Sequence, residues 1–448
     1  METPVPLSAA PQVHTVNTGD TAWLLAATAL VLLMTPGLAL FYGGMVRTKS
    51  VLNMLMMSFV SIALVTVVWL AAGYSLAFGN DAFGGLIGGL GHAGMRGLGP
   101  GSVHGTVPTL LFATFQLTFA IITAALISGA VADRTNFSAW LVLVPVWALV
   151  VYVPVTHWVW GPGGWIADRL GALDFAGGLP VEITSGASGL ALCLVLGPRL
   201  GFKKDAMRPH NLPMVILGAG LLWFGWFGFN AGSALGANGL AAAAFLNTMA
   251  AGCTGLLGWL FVEHRRDGHP TTLGAASGAV AGLVAITPSC GTVSLLGALV
   301  VGLAAGVVCS SAVSWKFRLN YDDSLDVVGV HLVGGIIGTL LIGLFADKAM
   351  TGGAEGLLYG GGLAPLGRQL LAVVVVAVYA FTVTYGLGKL LDRTLGLRAS
   401  EEQEHTGLDL TVHAETAYDH GVLGHGAPVS ASVVPSAVSP VQKVERQA

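Results

Sequence analysis

The chain has 448 residues, of which 54% are hydrophobic and only 10% are charged. Soluble domains usually carry about 25% charged residues, so this chain has too few charges to cover a water-facing surface of its size. A large soluble core would need amphipathic helices with polar faces, and few are present. The composition therefore predicts a protein that crosses a membrane several times, and the net charge of −3 argues against nucleic acid as a partner.

Apolar runs long enough to cross a bilayer recur along the chain. They are separated by polar loops, which we call joints. A helix needs about 20 residues to cross the hydrocarbon core, and it tolerates Gly and Pro when neighbouring helices satisfy the freed backbone groups. Eleven such helices are predicted: 21–45, 51–78, 107–131, 137–160, 179–197, 211–231, 238–262, 271–288, 292–314, 326–345 and 366–391. The predicted fold class is all-α, a polytopic membrane protein.

The basic residues of the joints predict the orientation, because cytoplasmic joints are enriched in Lys and Arg. With the N-terminus outside, fourteen basic residues fall on the cytoplasmic side: Arg47, Lys49, Arg134, Arg199, Lys203, Lys204, Arg208, Arg265, Arg266, Lys316, Arg318, Lys389, Arg393 and Arg398. Four fall outside: Arg96, Arg169, Lys348 and Arg368. We therefore predict an outer N-terminus and a cytoplasmic C-terminus.

No sequence pattern indicates a metal, a cofactor or an enzyme. The four cysteines lie in or beside apolar runs without a CxxC pair, and we interpret them as small packing residues: Cys193, Cys253, Cys290 and Cys309. There is no Walker, Rossmann or HExxH motif and no plausible pair of nucleophile and base. Glycines at four-residue spacing, in "GAASGAVAG" and at Gly302 and Gly306, predict close helix packing rather than chemistry.

Two short matches suggest an internal repeat. "VEITSGASG" from Val181 resembles "VHLVGGIIG" from Val330, with an ionisable residue followed by Gly at +4 and +7. "GLALFYGG" and "GWFGFNAG" form a second pair. The first pair falls in predicted helices five and ten, and the second in helices one and six. Because five is odd, two five-helix halves must have opposite orientation, which is a common transporter plan with the site at the interface of the halves.

The first match aligns Glu182 with His331, the two candidates for a buried polar site. A charge at mid-membrane costs about 2.5–3.5 kcal/mol on insertion scales, so it is rare and usually functional. Two other interpretations stay open. Glu182 follows Pro180 and could complement a helix dipole near the surface, and His331 could be a core histidine. Residue counting places each one near the start of its helix, so the two meet only if both helices begin deep in the protein.

Aromatic residues predict an outer vestibule. "FQLTF" places Phe115 and Phe119 one helical turn apart, and "FGWFGFNAGS" supplies Phe229 and Ser233. Trp160 in "HWVWGPGG" lies at the outer end of predicted helix four, where it could anchor the protein at the membrane surface. Aromatic rings beside a hydroxyl could instead bind a small cation through cation–π attraction.

These motifs resemble the ammonium transporter (Amt/Mep/Rh) superfamily, on its Amt branch. The resemblance extends from about residue 20 to about residue 420 and includes "MTPGLALFYGGMVR", "GALDFAGG", "TPSCG", "DVVGVHLVGGIIGT" and "GLDLTVHAETAY". It implies eleven helices, an outer N-terminus, two inverted five-helix repeats plus one extra helix, and a homotrimer with one pore per subunit.

The resemblance also implies roles for individual residues. Those that correspond by motif to the outer ammonium-binding site are Phe115, Phe119, Trp160 and Ser233. Phe119 and Phe229 correspond to stacked rings that close the pore. Asp174 matches a family acid whose role is largely structural, although its outer position would also suit cation attraction.

The predicted pore pair departs from the usual family pattern. His331 corresponds to the second of two pore histidines, and Glu182 stands where the first usually stands, as in some fungal members. An ionised Glu182 would attract cations, and the two groups would titrate as a coupled unit. Transport of ammonium nitrogen is therefore expected, without a direct transfer of pH dependence from the two-histidine members.

The predicted function is ammonium uptake across the cytoplasmic membrane, with ammonium deprotonated at the outer site and ammonia conducted inward, in an electrogenic process. Two alternatives stay open: a passive ammonia or carbon dioxide channel of the Rh type, and an ammonium sensor. A sensor would be expected to carry a fused signalling domain, and about fifty residues follow Arg398.

The predicted domain organisation has four parts. Residues 1–20 form an outer N-terminal segment, and residues 21–398 form the eleven-helix transporter domain. The resemblance implies that residues 399–420 form a cytoplasmic regulatory region that meets a PII-type signal protein. Residues 421–448 are rich in Ser, Pro and Ala and are predicted to be disordered.

Overall fold

The computed structural model describes residues 15–418, and within them the chain is mostly helical. Ten helices of this part have the length and composition to cross a membrane, and an eleventh apolar helix has 15 residues. In chain order they are α1 (Thr18–Met45), α2 (Thr48–Phe78), α3 (Thr109–Ala130), α4 (Phe137–Leu170), α5 (Gly178–Leu196), α6 (Leu212–Gly232), α7 (Gly239–Asp267), α8 (Thr272–Ile286), α9 (Leu295–Leu319), α10 (Val328–Phe345) and α11 (Ala364–Thr394). Each predicted segment overlaps one of these helices, and the crossing by the short α8 stays a prediction.

Side-chain caps explain where several of the helices begin. The Asn17 side chain accepts a hydrogen bond from the backbone N–H of Asp20 at the start of α1. Asn211 and Asn238 do the same for the third residue of α6 and of α7. The first four N–H groups of a helix lack partners within it, so these short polar side chains stabilise each start by about 1 kcal/mol.

Four of the apolar helices contain wider, π-helical turns, five turns in all within the described residues. These turns are Trp69–Gly73, Ala148–Tyr152, Trp165–Leu170, Gly178–Ile183 and Val328–Leu332. A four-residue turn at 161–164 separates the third of them from the rest of α4. Such turns break the regular ladder and are often found at functional sites. The last two open α5 and α10, the helices that the repeat relates.

Glycine allows the closest helix contacts. A Cβ atom on Gly218 of α6 would lie 2.3 Å from the backbone nitrogen of Phe41 in α1. A Cβ on Gly306 of α9 would lie 2.1 Å from the carbonyl oxygen of Gly255 in α7, and one on Gly282 of α8 would lie 2.2 Å from that of Ala251. The sequence prediction of close packing is therefore confirmed at Gly282 and Gly306, since only a missing side chain lets the backbones approach this far.

The joints that carry most of the basic residues meet at one end of the bundle. Arg199, after α5, contacts Asp133, after α3, at 3.2 Å and Asp322, before α10, at 2.8 Å. Arg47, after α1, also contacts Asp133, at 3.2 Å. These ion pairs, whose carboxylates are buried, connect four joints, so the ends of α1, α3, α5 and α9 are fixed against each other.

The C-terminal segment lies against the same end. It contains two short helices, α12 (Glu401–Thr406) and α13 (Leu408–His413). Glu404 accepts hydrogen bonds from the Leu200 backbone N–H and from Arg398. Asp409 accepts the backbone N–H groups of Leu52 and Asn53, in the first turn of α2, at 3.0 and 2.8 Å. The predicted disordered tail, 421–448, lies outside the described residues.

The opposite end carries a long joint between α2 and α3. This joint includes a two-stranded antiparallel hairpin, β1 (Val103–His104) and β2 (Val107–Pro108). The Asp20 carboxylate accepts a hydrogen bond from Thr106 of this hairpin and another from the backbone N–H of Ala237, after α6. Asp20 therefore connects the start of α1 with the hairpin and with the segment after α6.

Candidate functional site

Glu182 and His331 lie side by side inside the helix bundle. The distance between His331 Nδ1 and Glu182 Oε2 is 2.7 Å, and their side chains are only 5% and 1% exposed. Glu182 belongs to α5 and His331 to α10. The structure thus brings together the acid and the imidazole that occupy matching positions of the sequence repeat.

The two residues meet because both helices begin inside the protein. The chain is already buried before α5, at Ala176 and Gly177, and before α10, at Asp322 and Asp323. Residue counting had favoured surface positions because it assumes that a helix starts where the membrane starts. Here the polar ends of α5 and α10 are satisfied within the protein, so each helix can start deep.

Two aspartates satisfy these buried helix starts. Asp174 accepts the backbone N–H groups of Gly177, Gly178 and Leu179 at 2.7, 2.9 and 2.5 Å. Because Asp174 accepts these N–H groups, the carboxylate of Glu182, which lies further along the chain, is not the cap of α5. The polar partner of Glu182 is therefore His331, and the interpretation of Glu182 as a helix-dipole partner near the surface is wrong.

Asp323 has the same role at α10, where it accepts the backbone N–H groups of Val327 and Val328 at 3.1 and 2.7 Å. It precedes His331 by eight residues, as Asp174 precedes Glu182, so the repeat extends to the caps. Asp323 is not among the residues predicted from the sequence, although an aspartate precedes both Glu182 and His331 by eight positions. Burial raises the pKa of each aspartate to about 6, so both remain mostly ionised at neutral pH.

Aromatic rings lie near the Glu182–His331 pair, next to the same cavity. Phe119 of α3 and Phe229 of α6 are stacked, with ring centroids 4.0 Å apart and planes 13° apart. Phe115 contacts Phe119 edge to face at 4.8 Å, and Trp160 contacts Phe119 at 5.9 Å with planes 81° apart. The rings predicted to form a gate and an outer site are thus in one continuous cluster.

Trp160 and Ser233 are oriented by backbone carbonyl groups. Trp160 Nε1 donates a hydrogen bond to the carbonyl oxygen of Asp174 at 3.0 Å. Ser233, just after α6, donates its hydroxyl proton to the carbonyl oxygen of Phe229 at 2.9 Å. Both side chains are partly exposed, whereas Phe115, Phe119 and Phe229 are buried. The hydroxyl oxygen of Ser233 keeps lone pairs with which it can accept N–H donors.

A narrow apolar cavity lies next to the stacked rings and the polar pair. It is bounded by side chains of α1, α3, α5, α6, α8 and α10: Met34, Leu38, Phe41, Ile122, Leu126, Val181, Glu182, Leu222, Trp226, Phe229, Val280 and His331. Ten of the twelve are hydrophobic, so a solute here finds polar partners chiefly at Glu182 and His331. Such a cavity favours a small neutral solute over an ion, because it offers little to replace the hydration of a charge.

The fold and this site define a multi-pass helical membrane protein in which a cluster of aromatic rings and a small cavity adjoin a buried acid–imidazole pair. The sequence profile of the Ammonium Transporter Family matches residues 22–418. The chain belongs to that family.

Relatives and solved structures agree with this assignment. The "Ammonium transporter" of Mycobacterium tuberculosis (strain ATCC 25618 / H37Rv) is 54% identical over 451 residues, which cover 94% of this chain and 93% of the relative. The "Ammonium transporter" of Bacillus subtilis (strain 168) is 50% identical, covering 89% and 98%. The crystal structure of Candida albicans Mep2 superposes with a TM-score of 0.82 at 36% identity, covering 87% and 88%. Membership in a family of transporters supports ammonium transport as the function and agrees with the expectation that the chain is not an enzyme.

Proposed function

We propose that this protein takes up ammonium across the cytoplasmic membrane, with its N-terminus outside and its C-terminus in the cytoplasm. The observation that carries the proposal is the Glu182–His331 contact of 2.7 Å beside the cavity at the stacked rings. A polar pair in an otherwise apolar passage suits a solute that enters without its charge and needs hydrogen-bond partners on the way.

Ammonium first binds at an outer site formed by Phe115, Phe119, Trp160 and Ser233. The faces of aromatic rings attract a small cation, and the contribution grows from about 0.5–1 kcal/mol in water to about 2 kcal/mol when the cation is desolvated. The Ser233 hydroxyl proton is engaged with Phe229, so its oxygen accepts an N–H of the ion. Asp174 supports the site by holding the loop whose carbonyl orients Trp160.

Deprotonation precedes passage between Phe119 and Phe229. Rings stacked at 4.0 Å leave no space for a hydrated ion. The idealised cost of moving a bare ion from water into a dry interior is of order 20 kcal/mol, whereas ammonia carries no charge. Ammonium therefore gives up one proton, and ammonia moves past the rings, which must turn aside.

Ammonia then passes Glu182 and His331. One proton in the 2.7 Å contact can lie on the imidazole or on the carboxyl, and the hydrogen bond is satisfied in both cases. The pair can therefore accept a proton on one side and release it on the other. If the proton taken from ammonium follows this route, one positive charge enters with each ammonia, and uptake is electrogenic.

Electrophysiology on solid-supported membranes tests this route. The wild type should give a transient current on addition of ammonium. Glu182→Gln keeps the size and the hydrogen-bonding capacity of the side chain but not its acid–base chemistry, so it should lower the current by about tenfold or more, because general acid–base groups typically contribute 10²–10⁴-fold. Unchanged currents in Glu182→Gln, in correctly assembled protein, would contradict proton transfer through the pair. Ammonia permeation without any current in the wild type would favour the passive channel of the Rh type.

The assembly and its regulation complete the proposal. We expect two inverted five-helix repeats, with α8 also crossing the membrane and α11 outside the repeat, and a homotrimer with one pore per subunit. The C-terminal segment 399–420 contacts the joints after α1, α5 and α11 through Glu404, which suits a regulatory region within reach of a PII-type protein. Mass measurement of the detergent-purified protein, with and without a PII protein, tests whether the protein is a trimer and whether a PII protein binds to it.

Ammonium sensing is a second candidate. The structure titled "Sensor Amt Protein" superposes with a TM-score of 0.82 at 28% identity, covering 88% of this chain and 97% of that chain. Growth on limiting ammonium separates the two functions. A transporter should restore growth to cells that lack ammonium uptake, whereas a pure sensor should not.

A further inference from the structure

We propose that His157 and Asp81 form a proton-holding pair that positions the outer end of α4, and with it Trp160. The proposal rests on the function proposed above, in which Trp160 belongs to the outer ammonium site. It concerns a histidine that the transport route does not use and that lies one helical turn before Trp160.

The hydrogen bonding of His157 indicates where its protons lie. Its side chain is completely buried, and Nδ1 lies 2.9 Å from the carbonyl oxygen of Ala77. A carbonyl oxygen only accepts, so Nδ1 carries a hydrogen. Nε2 has no hydrogen-bond partner, although it is buried and lies 3.7 Å from Asp81 Oδ1. In a neutral ring, Nε2 would direct a lone pair at a carboxylate, whereas in the imidazolium it directs an N–H there.

Asp81 is fixed and ionised in this position. Its Oδ1 accepts the backbone N–H groups of Phe83 and Gly85 at 3.1 and 2.7 Å, and the hydrogen bond from Gly85 helps to lower the pKa of the carboxyl. Its side chain is 25% exposed, so a proton can reach the pair from the outer solution. The fixed Asp81 carboxylate therefore lies beside the unpaired, buried Nε2 of His157.

The surrounding charges do not provide another partner for the ring. Within residues 15–418, no acid other than Asp81 has a carboxylate oxygen within 4.0 Å of a ring nitrogen of His157. The other titratable or charged side chains on the elements packed against this part of α4 are Tyr74, Tyr152, Asp168, Arg169 and Glu182. Asp168 instead accepts the backbone N–H of Gly163, and Glu182 is paired with His331.

Close packing transmits the state of His157 to Trp160. The turn after Trp160 folds back onto the histidine: a Cβ on Gly161 would lie 2.4 Å from His157 Nδ1, and one on Gly164 would lie 2.1 Å from the His157 carbonyl oxygen. The Gly161 backbone N–H also donates to that carbonyl at 3.0 Å. A shift of the imidazole therefore displaces the turn that ends the helix at Trp160. His157 acts here as a positioning residue.

The apparent affinity for ammonium chloride, measured by solid-supported membrane currents at outer pH 5 to 8, tests the pair. Asp81→Asn keeps the oxygen that accepts Phe83 and Gly85 but removes the charge that holds the proton. The ratio of its apparent KM to that of the wild type at the same pH cancels the protonation of the substrate itself. We expect a ratio of about five to ten near pH 6 and a smaller ratio near pH 8. His157→Gln should give the same profile.

Asp168→Asn is the matched control, because it removes one exposed outer carboxylate that also accepts a backbone N–H but does not touch His157. Its ratio should not change with pH. A ratio for Asp81→Asn that is flat between pH 5 and 8, or one that Asp168→Asn reproduces, would overturn the proposal. If the wild type gives no ammonium current, the proposed transport function fails instead, so the two failures are distinguishable.

Discussion

Replacement of Asp174 should reveal whether this carboxylate is a structural cap or a cation-attracting group. Its two oxygens accept three backbone N–H groups at the buried start of α5. In Asp174→Ala all three donors lose their partner, and each buried unsatisfied donor costs about 1–3 kcal/mol, so roughly 3–9 kcal/mol of stability should be lost. In Asp174→Asn, Oδ1 can still accept Gly177 and Gly178, and only the N–H of Leu179 meets an amide NH₂. The expected loss is then about 1–3 kcal/mol.

Thermal unfolding of the purified protein in detergent measures this order of stability, wild type above Asn above Ala. Asp347→Ala is the matched control, since Asp347 caps the four-residue helix Lys348–Thr351 with one hydrogen bond, from Ala349. The same Asp174 variants should weaken ammonium binding, because Trp160 depends on the Asp174 carbonyl. The structural role is refuted if Asp174→Asn unfolds like the wild type while its ammonium affinity falls in a salt-dependent manner, which is the behaviour of an attracting charge.

Three further outcomes are expected. Gly338→Ala should destabilise the protein by about 1–3 kcal/mol or more, measured by thermal unfolding, because its Cβ would overlap the carbonyl oxygen of Ala285. Burial acts to raise the pKa of Asp322, but hydrogen bonds from Arg199 outweigh it and hold the pKa below its usual range. The stabilisation that Asp322 provides is thus present above pH 4 and lost on acidification, and Asp322→Asn should cost about 3–5 kcal/mol at neutral pH. Phe229→Leu should raise the methylammonium current relative to the ammonium current, by tenfold at most, since ring pairing contributes about 0.5–1.5 kcal/mol.

Each of these substitutions has a control on a neighbouring surface. Gly386→Ala adds the same methyl group where nothing lies within 4 Å. Asp205→Asn removes an exposed acid from the joint that also carries Arg199. Phe224→Leu changes a ring of α6 that is 56% exposed. A control that behaves like its test variant would show that the effect does not arise from the contact in question.

The sequence predicted the helices well because their signal is local. A long apolar run between polar joints leaves the backbone few alternatives in a membrane. The predicted boundaries are nevertheless too short at several ends: α7 continues to Asp267 rather than ending at 262, and α11 to Thr394 rather than 391. Helices that extend into water carry polar last turns, and hydrophobicity alone does not detect them.

The site was only partly predictable because it depends on depth. The repeat correctly paired Glu182 with His331, but their contact requires that both helix starts are buried, and this depends on Asp174 and Asp323. Residue counting contains no information on whether a loop lies on the surface or runs inside the protein. The stacking of Phe119 on Phe229 joins helices more than a hundred residues apart, so only the family resemblance indicated it.

His157 illustrates a second limit of prediction from the sequence. Within the sequence it is one histidine in an aromatic segment, without a motif. Its significance comes from Ala77 and Asp81, some eighty residues earlier in the chain, and from the glycines that follow Trp160. Contacts of this kind arise from tertiary packing and produce no periodic pattern in the sequence.

The hydrogen bonds from α2 to Asp409 make the short helices after α11 part of the membrane domain rather than a separate extension. A deletion that stops after Leu397 would expose two backbone donors at the start of α2 and would also release the loop at Leu200 from Glu404. Engineered fusions and affinity tags are therefore better attached beyond residue 418 than directly after α11. Loss of transport in a shorter form would report a damaged second helix as readily as a missing regulatory signal.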